Sequence, residues 1–320
     1  MKNLFICLTP LQALIAQALI RQNSHYPADL LMICYAESDN AKFRHYYHQT
    51  AKLCDFAQFV RVPRNAWARE ISLFSLSKNL QKQYHTIFAA SIDNPNVQFP
   101  LSHLNFVQLE TFDDGTANLY PNSILYRNQN YGKKAKIIRQ LQGIRYQTED
   151  LRQLSAQHHT LYPNQNNISP KTKTLNLWDN VAEKPVSGSQ NGQNVQKIVL
   201  GQPLFDNPQQ NIDVFKQILK ISQAAHYFPH PREDYPIPAQ YIDTPLIFED
   251  YLLQQIQNHP QTQYQIHHIA STAALNVVNF PRVQIVAHRP KLPLFHNPNF
   301  QYLYDLMEKM NITTQTIECP

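Results

Sequence analysis

The sequence predicts an α/β protein of two halves, each a parallel sheet with helices on both faces, lying across a cleft from one another. Three observations predict it. Short apolar runs alternate with helical patterns from Leu4 to Leu109, the rhythm of strand–helix–strand units. The alternation stops over residues 117–195 and resumes at Gln196. In each half an apolar run breaks into a polar turn: Phe112-Asp113-Asp114-Gly115-Thr116 in one, Tyr227-Phe228-Pro229-His230-Pro231-Arg232 in the other.

The elements follow in order. Leu4–Leu8 reads as a buried strand, and Pro10 suits the first turn of a helix over Leu11–Ile20. Leu30–Tyr35 and Phe56–Val62 are strands, the latter stopped by Pro63. Apolar spacing predicts a helix over Ile71–Leu80, and strands follow at Thr86–Ala90 and Asn105–Leu109. A helix is expected over Ile137–Leu151. Pro170, Pro185, Gly188 and Gly192 punctuate a polar stretch that reads as linker. Beyond it come strands at Gln196–Leu200, Ala225–Phe228, Tyr264–Ile269 and Val283–Val286, and helices at Ile212–Ile221, Phe248–Ile256 and Phe300–Met310. The expected organisation is an N-terminal Rossmann-like domain with a helical extension over 1–163, a linker over 164–194 and a second Rossmann-like domain over 195–320. Two such halves are the plan of GT-B glycosyltransferases, and also of some epimerases and binding proteins, so the plan alone does not fix function.

Composition narrows the chemistry. The 320 residues suit two domains, and 43% hydrophobic residues supply their cores. With 6 glycines and no G-x-G-x-x-G or G-x-x-x-x-G-K-[ST] pattern, a bound phosphate needs helix N-termini and hydroxyls instead of a glycine loop. The net charge of +5 and one compact basic cluster, Lys133-Lys134-Ala135-Lys136, fit a mildly basic surface; attraction to an anionic substrate or lipid face is the sharper alternative. No long Lys/Arg run points to nucleic acid. Cys7, Cys34, Cys54 and Cys319 show no C-x-x-C spacing and read as thiols of a reducing compartment. No D-x-D or H-E-x-x-H motif occurs, and His267-His268 lie on opposite faces of a strand, so no metal set is expected. The opening residues imitate a signal peptide, but Thr9-Pro10 interrupts them and no run of 18 apolar residues follows.

Several turns carry chemistry. Prolines on both sides restrict the backbone around His230, which is placed to protonate or hydrogen-bond a leaving phosphate, with Arg232 beside it. The plain alternative is a proline-rich surface turn. Asp113-Asp114-Gly115 offers a base or a group that orients an acceptor hydroxyl, or else a solvated turn. Gly201 permits close approach of a nucleotide, and Asp206, in the same loop, is a candidate base. Ser271-Thr272 opens a helix, either as an anion pocket or as an ordinary cap. Glu249 sits in a first helical turn, where a carboxylate favours the dipole or binds ribose hydroxyls.

In this order the motifs resemble the bacterial lipooligosaccharide α-2,3-sialyltransferases of glycosyltransferase family 52. The likeness runs through Thr111–Leu119, Leu200-Gly201-Gln202-Pro203, Pro229-His230-Pro231-Arg232, Glu249-Asp250-Tyr251 and Ser271–Leu275 before Phe280-Pro281. The resemblance implies a GT-B fold, a CMP-sialic acid donor, a galactose-terminated acceptor, inversion, no metal or other cofactor, and a homodimer. It makes His230 the general acid and an Asp after the Leu-Gly-x-Pro turn the general base. Here that is Asp206, reached across a small gap, with Asp113 and Asp114 as rival bases or acceptor-orienting groups. It places the nucleotide on Gly201, His226, Tyr227, Phe228, Pro229, His230, Leu246, Ile247, Glu249, Ser271 and Thr272. The expected location is the bacterial cytoplasm, with peripheral association at the inner face of the cytoplasmic membrane.

Overall fold

The computed structural model describes residues 1–63, 65–178 and 194–319. The chain divides into two compact units, Met1–Leu177 and Trp178–Pro320.

In the first unit the elements are β1 (Asn3–Cys7), α1 (Pro10–Gln22), β2 (Ala28–Tyr35), α2 (Ala41–Ala51), β3 (Phe56–Val62), α3 (Ala66–Leu76), β4 (Gln83–Ala89), α4 (Pro95–His103), β5 (Asn105–Phe112), α5 (Lys133–Leu141), α6 (Thr148–Leu154), β6 (Ser155–Thr160) and β7 (Thr172–Thr174). The strands pair in the order β3-β2-β1-β4-β5-β6-β7, all parallel. All five residues of β1 are buried, as a strand covered on both faces requires. Behind it the Phe5 and Phe88 rings stack with centroids 4.6 Å apart. Thr9 starts α1 by accepting the Gln12 N–H, with Pro10 in the first turn. The chain winds outward from β1 to β3 and returns to β4 on the other side, so the crevice beyond the β1 and β4 carboxyl ends is a topological switch point.

The second unit contains β8 (Val195–Leu200), α7 (Pro208–Ser222), β9 (His226–Phe228), β10 (Gln240–Tyr241), α8 (Phe248–Asn258), β11 (Gln263–His268), α9 (Thr272–Asn276), β12 (Val283–Pro290), α10 (Pro298–Lys309) and β13 (Thr313–Ile317). Its parallel sheet runs β10-β9-β8-β11-β12-β13. The switch point here lies between β8 and β11. Both units are therefore Rossmann-like α/β, the expected class.

Several elements differ from the expectation. β5 continues to Phe112, three residues further, so the Asp-Asp-Gly turn follows the strand directly. The single helix expected over Ile137–Leu151 is two, α5 and α6, separated at Gly143, whose φ is +67°. α3 lies over Ala66–Leu76 instead of Ile71–Leu80. β6 and β7 occupy a region read as strand-free. The sequence of β6 is polar, but Ser155, His158, His159 and Thr160 are buried and hydrogen-bonded, which hides the strand from a hydrophobicity pattern. Of the stretch 164–194, read as linker, residues 164–177 group with the first unit and Trp178 and Asn194 with the second; 179–193 lie outside the described residues. Among the described residues no helix is long and apolar enough to cross a membrane.

Truncating Phe5 to Ala removes one partner of the ring stack at the centre of the first sheet. Urea unfolding of the variant is expected to show a loss of about 3–5 kcal/mol.

Candidate functional site

At the switch point of the first unit, three side chains lock together. Gln12, wholly buried in the first turn of α1, accepts the Leu8 N–H through Oε1 at 2.6 Å. Its Nε2 donates to Ser91 Oγ at 2.9 Å and to Asp114 Oδ1. The Ser91 hydroxyl donates to Asp114 Oδ2 at 2.5 Å. Ser91 follows β4 with φ +48°, a left-handed conformation that costs a non-glycine residue about 1–2 kcal/mol. Asp114 itself is half-buried, at the end of β5. Burial pushes its carboxyl up to about 6, against the pull of the Ser91 and Gln12 bonds; Asp93 and Asp113 push the same way as burial. A carboxylate near 6 in a crevice at a strand end has the character of a general base or an acceptor anchor.

Its neighbour is built differently. Asp113 is 0% exposed. Oδ1 accepts His158 Nε2 at 2.9 Å and Asn167 Nδ2 at 3.4 Å, while Oδ2 accepts Thr160 Oγ1 at 2.9 Å and the Leu161 N–H at 2.6 Å. His158 in turn meets Thr111 Oγ1 through Nδ1 at 2.8 Å. Asp113 thus ties β5 to β6 and to the loop beyond, and its oxygens face protein donors. Of the pair, Asp113 is wholly enclosed, whereas Asp114 stays partly exposed.

In the second unit, β8 ends at Gly201, whose N–H donates to Phe228 O at 2.9 Å. Gln202 then bridges the switch point, its Oε1 accepting the Ala270 N–H at 3.2 Å. The next turn holds Ser271 and Thr272 at the start of α9. That helix has only five residues, and the Ser271 N–H already donates to His268 Nδ1 at 3.1 Å. The Ser271 N–H is therefore already engaged within the protein.

His230 is half-buried just past the carboxyl end of β9. Its Nδ1 accepts the Arg232 N–H at 3.2 Å, which leaves the neutral ring's proton on Nε2. Burial, with the Arg232 charge second, pushes the imidazole down to about 4. At neutral pH the ring is an uncharged donor through Nε2. Asp206 is exposed in the loop leaving β8. Asn211, 1% exposed, pins that loop by accepting the Leu204 and Phe205 N–H groups at 2.9 and 3.1 Å.

The other expected nucleotide contacts divide. Pro229, Leu246 and Ile247 are half-buried. Tyr227 and Phe228 point inward: Tyr227 packs on Phe215 and Tyr241, Phe228 on Phe248 and Tyr251. His226 begins β9 and so lies at the opposite edge of the sheet, in an open depression with Lys197 and His259. Glu249 is 3% exposed and accepts Asn276 Nδ2 at 2.7 Å, joining α8 to α9; burial pushes it up to about 7. The sequence reading missed Gln12, Ser91, His158 and Glu233. Only a glutamine on the buried face of α1 offers a signal, and a weak one.

The model of glycosyltransferase family 52 matches residues 28–292. The chain belongs to glycosyltransferase family 52. The family-52 chain is 35% identical over 316 residues to a CMP-N-acetylneuraminate:β-galactoside α-2,3-sialyltransferase of Pasteurella multocida, covering 97% of both proteins. It is 29% identical over 315 residues to an N-acetyllactosaminide α-2,3-sialyltransferase of Haemophilus influenzae, covering 97% of this chain and 98% of that one. Among solved structures it is similar to the glycosyltransferase SnogD from Streptomyces nogalater, with TM-score 0.46, 10% identity and coverage of 99% and 87%.

Two substitutions separate the paired carboxylates of this family-52 chain. Asp113→Ala strands buried donors and is expected to cost about 3–5 kcal/mol in urea unfolding. Asp114 has a folded-state pKa above the ordinary 3.8. Its ionisation therefore costs stability progressively as pH rises from about 4 to about 6. Asp114→Asn removes that titration. The variant is expected to melt higher than the parent at pH 8, and the gap to narrow at pH 4.

Proposed function

We propose that this chain moves a sialyl group from CMP-sialic acid to the 3-hydroxyl of a terminal galactose, with inversion at the anomeric carbon and without a divalent ion. Family membership and the activities named for its relatives support the reaction. The observation that carries the mechanism is the His230 loop: a ring held in one tautomer just past the carboxyl end of β9, where the Gly201 N–H bonds Phe228 O.

On this reading the nucleotide lies over the carboxyl edge of the second sheet. The Ser271-Thr272 turn and His230 face the phosphate, and Leu246 and Ile247 flank the base. The departing CMP phosphate is stable as a dianion near neutral pH, its second pKa being about 6. A hydrogen bond from Nε2 then suffices to stabilise it as charge builds, with no need for an imidazolium. The first unit supplies the acceptor contacts. Asp206 takes the proton from the attacking hydroxyl, and Asp114 holds the galactose. The partly buried setting of Asp114 and its carboxyl near 6 favour a second reading, in which Asp114 is the base. The acceptor is a lipooligosaccharide-type glycan, met by a homodimer working peripherally at the inner membrane face; exposed Lys133, Lys134 and Lys136 on α5 support that surface role.

Mass spectrometry of lactose incubated with CMP-sialic acid and the protein is expected to show sialyl-lactose, and NMR its 3-linkage. Intact lactose beside undamaged, CMP-stabilised protein would overturn the reaction. His230→Ala is expected to keep the fold and lose about 10²–10⁴-fold in kcat. Asp206→Asn should depress kcat on a similar scale, whereas Asp114→Asn should mainly raise the acceptor KM. The reverse pattern assigns the base to Asp114.

A further inference from the structure

Behind His230 lies a set of contacts that sialyl transfer as described leaves without a role. The Glu233 carboxylate accepts the His230 N–H through Oε1 at 3.0 Å, and the Glu233 N–H donates back to His230 O at 3.0 Å. This reciprocal pair closes the turn His230–Glu233. Oε2 accepts the Tyr227 hydroxyl at 3.0 Å. Tyr227 is 0% exposed within β9, so the carboxylate joins the turn to the core of the sheet. Gly201 makes the seat. A Cβ on it would overlap Glu233 Oε1 and the Tyr227 hydroxyl and would stand 2.8 Å from Glu233 Cδ. The sequence reading had Gly201 open to a nucleotide; the space beside its Cα is filled by the protein's own side chains.

We propose that Glu233 is a positioning residue, a carboxylate seated on Gly201 and bonded to Tyr227 that fixes the loop presenting the His230 imidazole. The proposal rests on the sialyl-transfer reading only for what His230 meets. A carboxylate brings two acceptor oxygens, one for each donor it faces here. With the turn closed, the Arg232 N–H stays aimed at Nδ1 at 3.2 Å, and Nε2–H points away from the loop backbone. Open the turn, and the ring gains both rotamers and both tautomers. Burial pushes Glu233 up to about 7, in keeping with a carboxylate placed for geometry at some electrostatic cost.

The experiment compares Glu233→Ala, Glu233→Gln, Tyr227→Phe and Gly201→Ala with the parent. Steady-state kinetics with CMP-sialic acid and lactose are read beside long-range ¹H–¹⁵N spectra of the histidine rings, with His230→Ala assigning the signal. Glu233→Ala is expected to lower kcat about 10²-fold, the scale of a small misplacement of a reacting group, with donor KM within about threefold. Its His230 signal should change from the single Nε2–H tautomer to a mixture. Glu233→Gln, which keeps an oxygen for the His230 N–H and can donate to the Tyr227 oxygen, is expected to restore most activity and the single tautomer. Gly201→Ala displaces the carboxylate and should reproduce Glu233→Ala, with the double variant no worse than either single one. A folded Glu233→Ala with kcat within about twofold of the parent and an unchanged His230 spectrum overturns the proposal. Should Glu233→Ala fail to fold, the spectrum of Tyr227→Phe decides: an unaltered tautomer overturns it, a mixture supports it. The spectra are taken without substrate, so a protein that transfers no sialic acid still answers whether Glu233 fixes His230.

Discussion

A carboxylate held by protein donors beside the residue that meets solvent is the constraint common to both units. In the first, Asp113 gathers two side-chain nitrogens, a hydroxyl and a backbone N–H, and Asp114 beside it is partly exposed. In the second, Glu233 gathers a hydroxyl and a backbone N–H, and His230 three residues earlier emerges with one ring nitrogen open. Loops at strand ends are otherwise mobile, because few apolar contacts restrain them. A buried acceptor with several donors restrains them at a desolvation cost that the hydrogen bonds offset.

Electrostatics follow from the same placement. Asp114 is pushed up to about 6 and His230 down to about 4, both chiefly by burial. One group leans toward holding a proton and the other toward staying neutral. His158, which bonds Asp113, was not foreseen, yet it supplies part of the framework that separates the two carboxylates.

Much of the architecture was legible because parallel strands covered on both faces read as apolar runs; β1 and β2 announce themselves this way. β6 did not, because its buried positions are Ser, His and Thr satisfied by neighbours from distant sequence. The turns carrying Asp114 and His230 were legible as abrupt ends of apolar runs. The difference between Asp113 and Asp114 was not: adjacent identical residues diverge through distant partners, 45 to 54 positions from Asp113 and 23 and 102 positions from Asp114. Gly201 was read as room for a nucleotide to approach the backbone, whereas Glu233 and Tyr227 take the space beside its Cα. The resemblance grouped His226 with His230 around the nucleotide, although a three-residue strand puts His226 at its start and His230 beyond its end.

Ser91 has a consequence for how this sequence can drift. Its backbone conformation suits glycine, and a glycine there would relieve the torsional penalty at once. The same exchange would delete the hydroxyl that orients the Asp114 carboxylate. Sturdiness and orientation pull in opposite directions at this one codon, and the serine marks which of them the protein has kept.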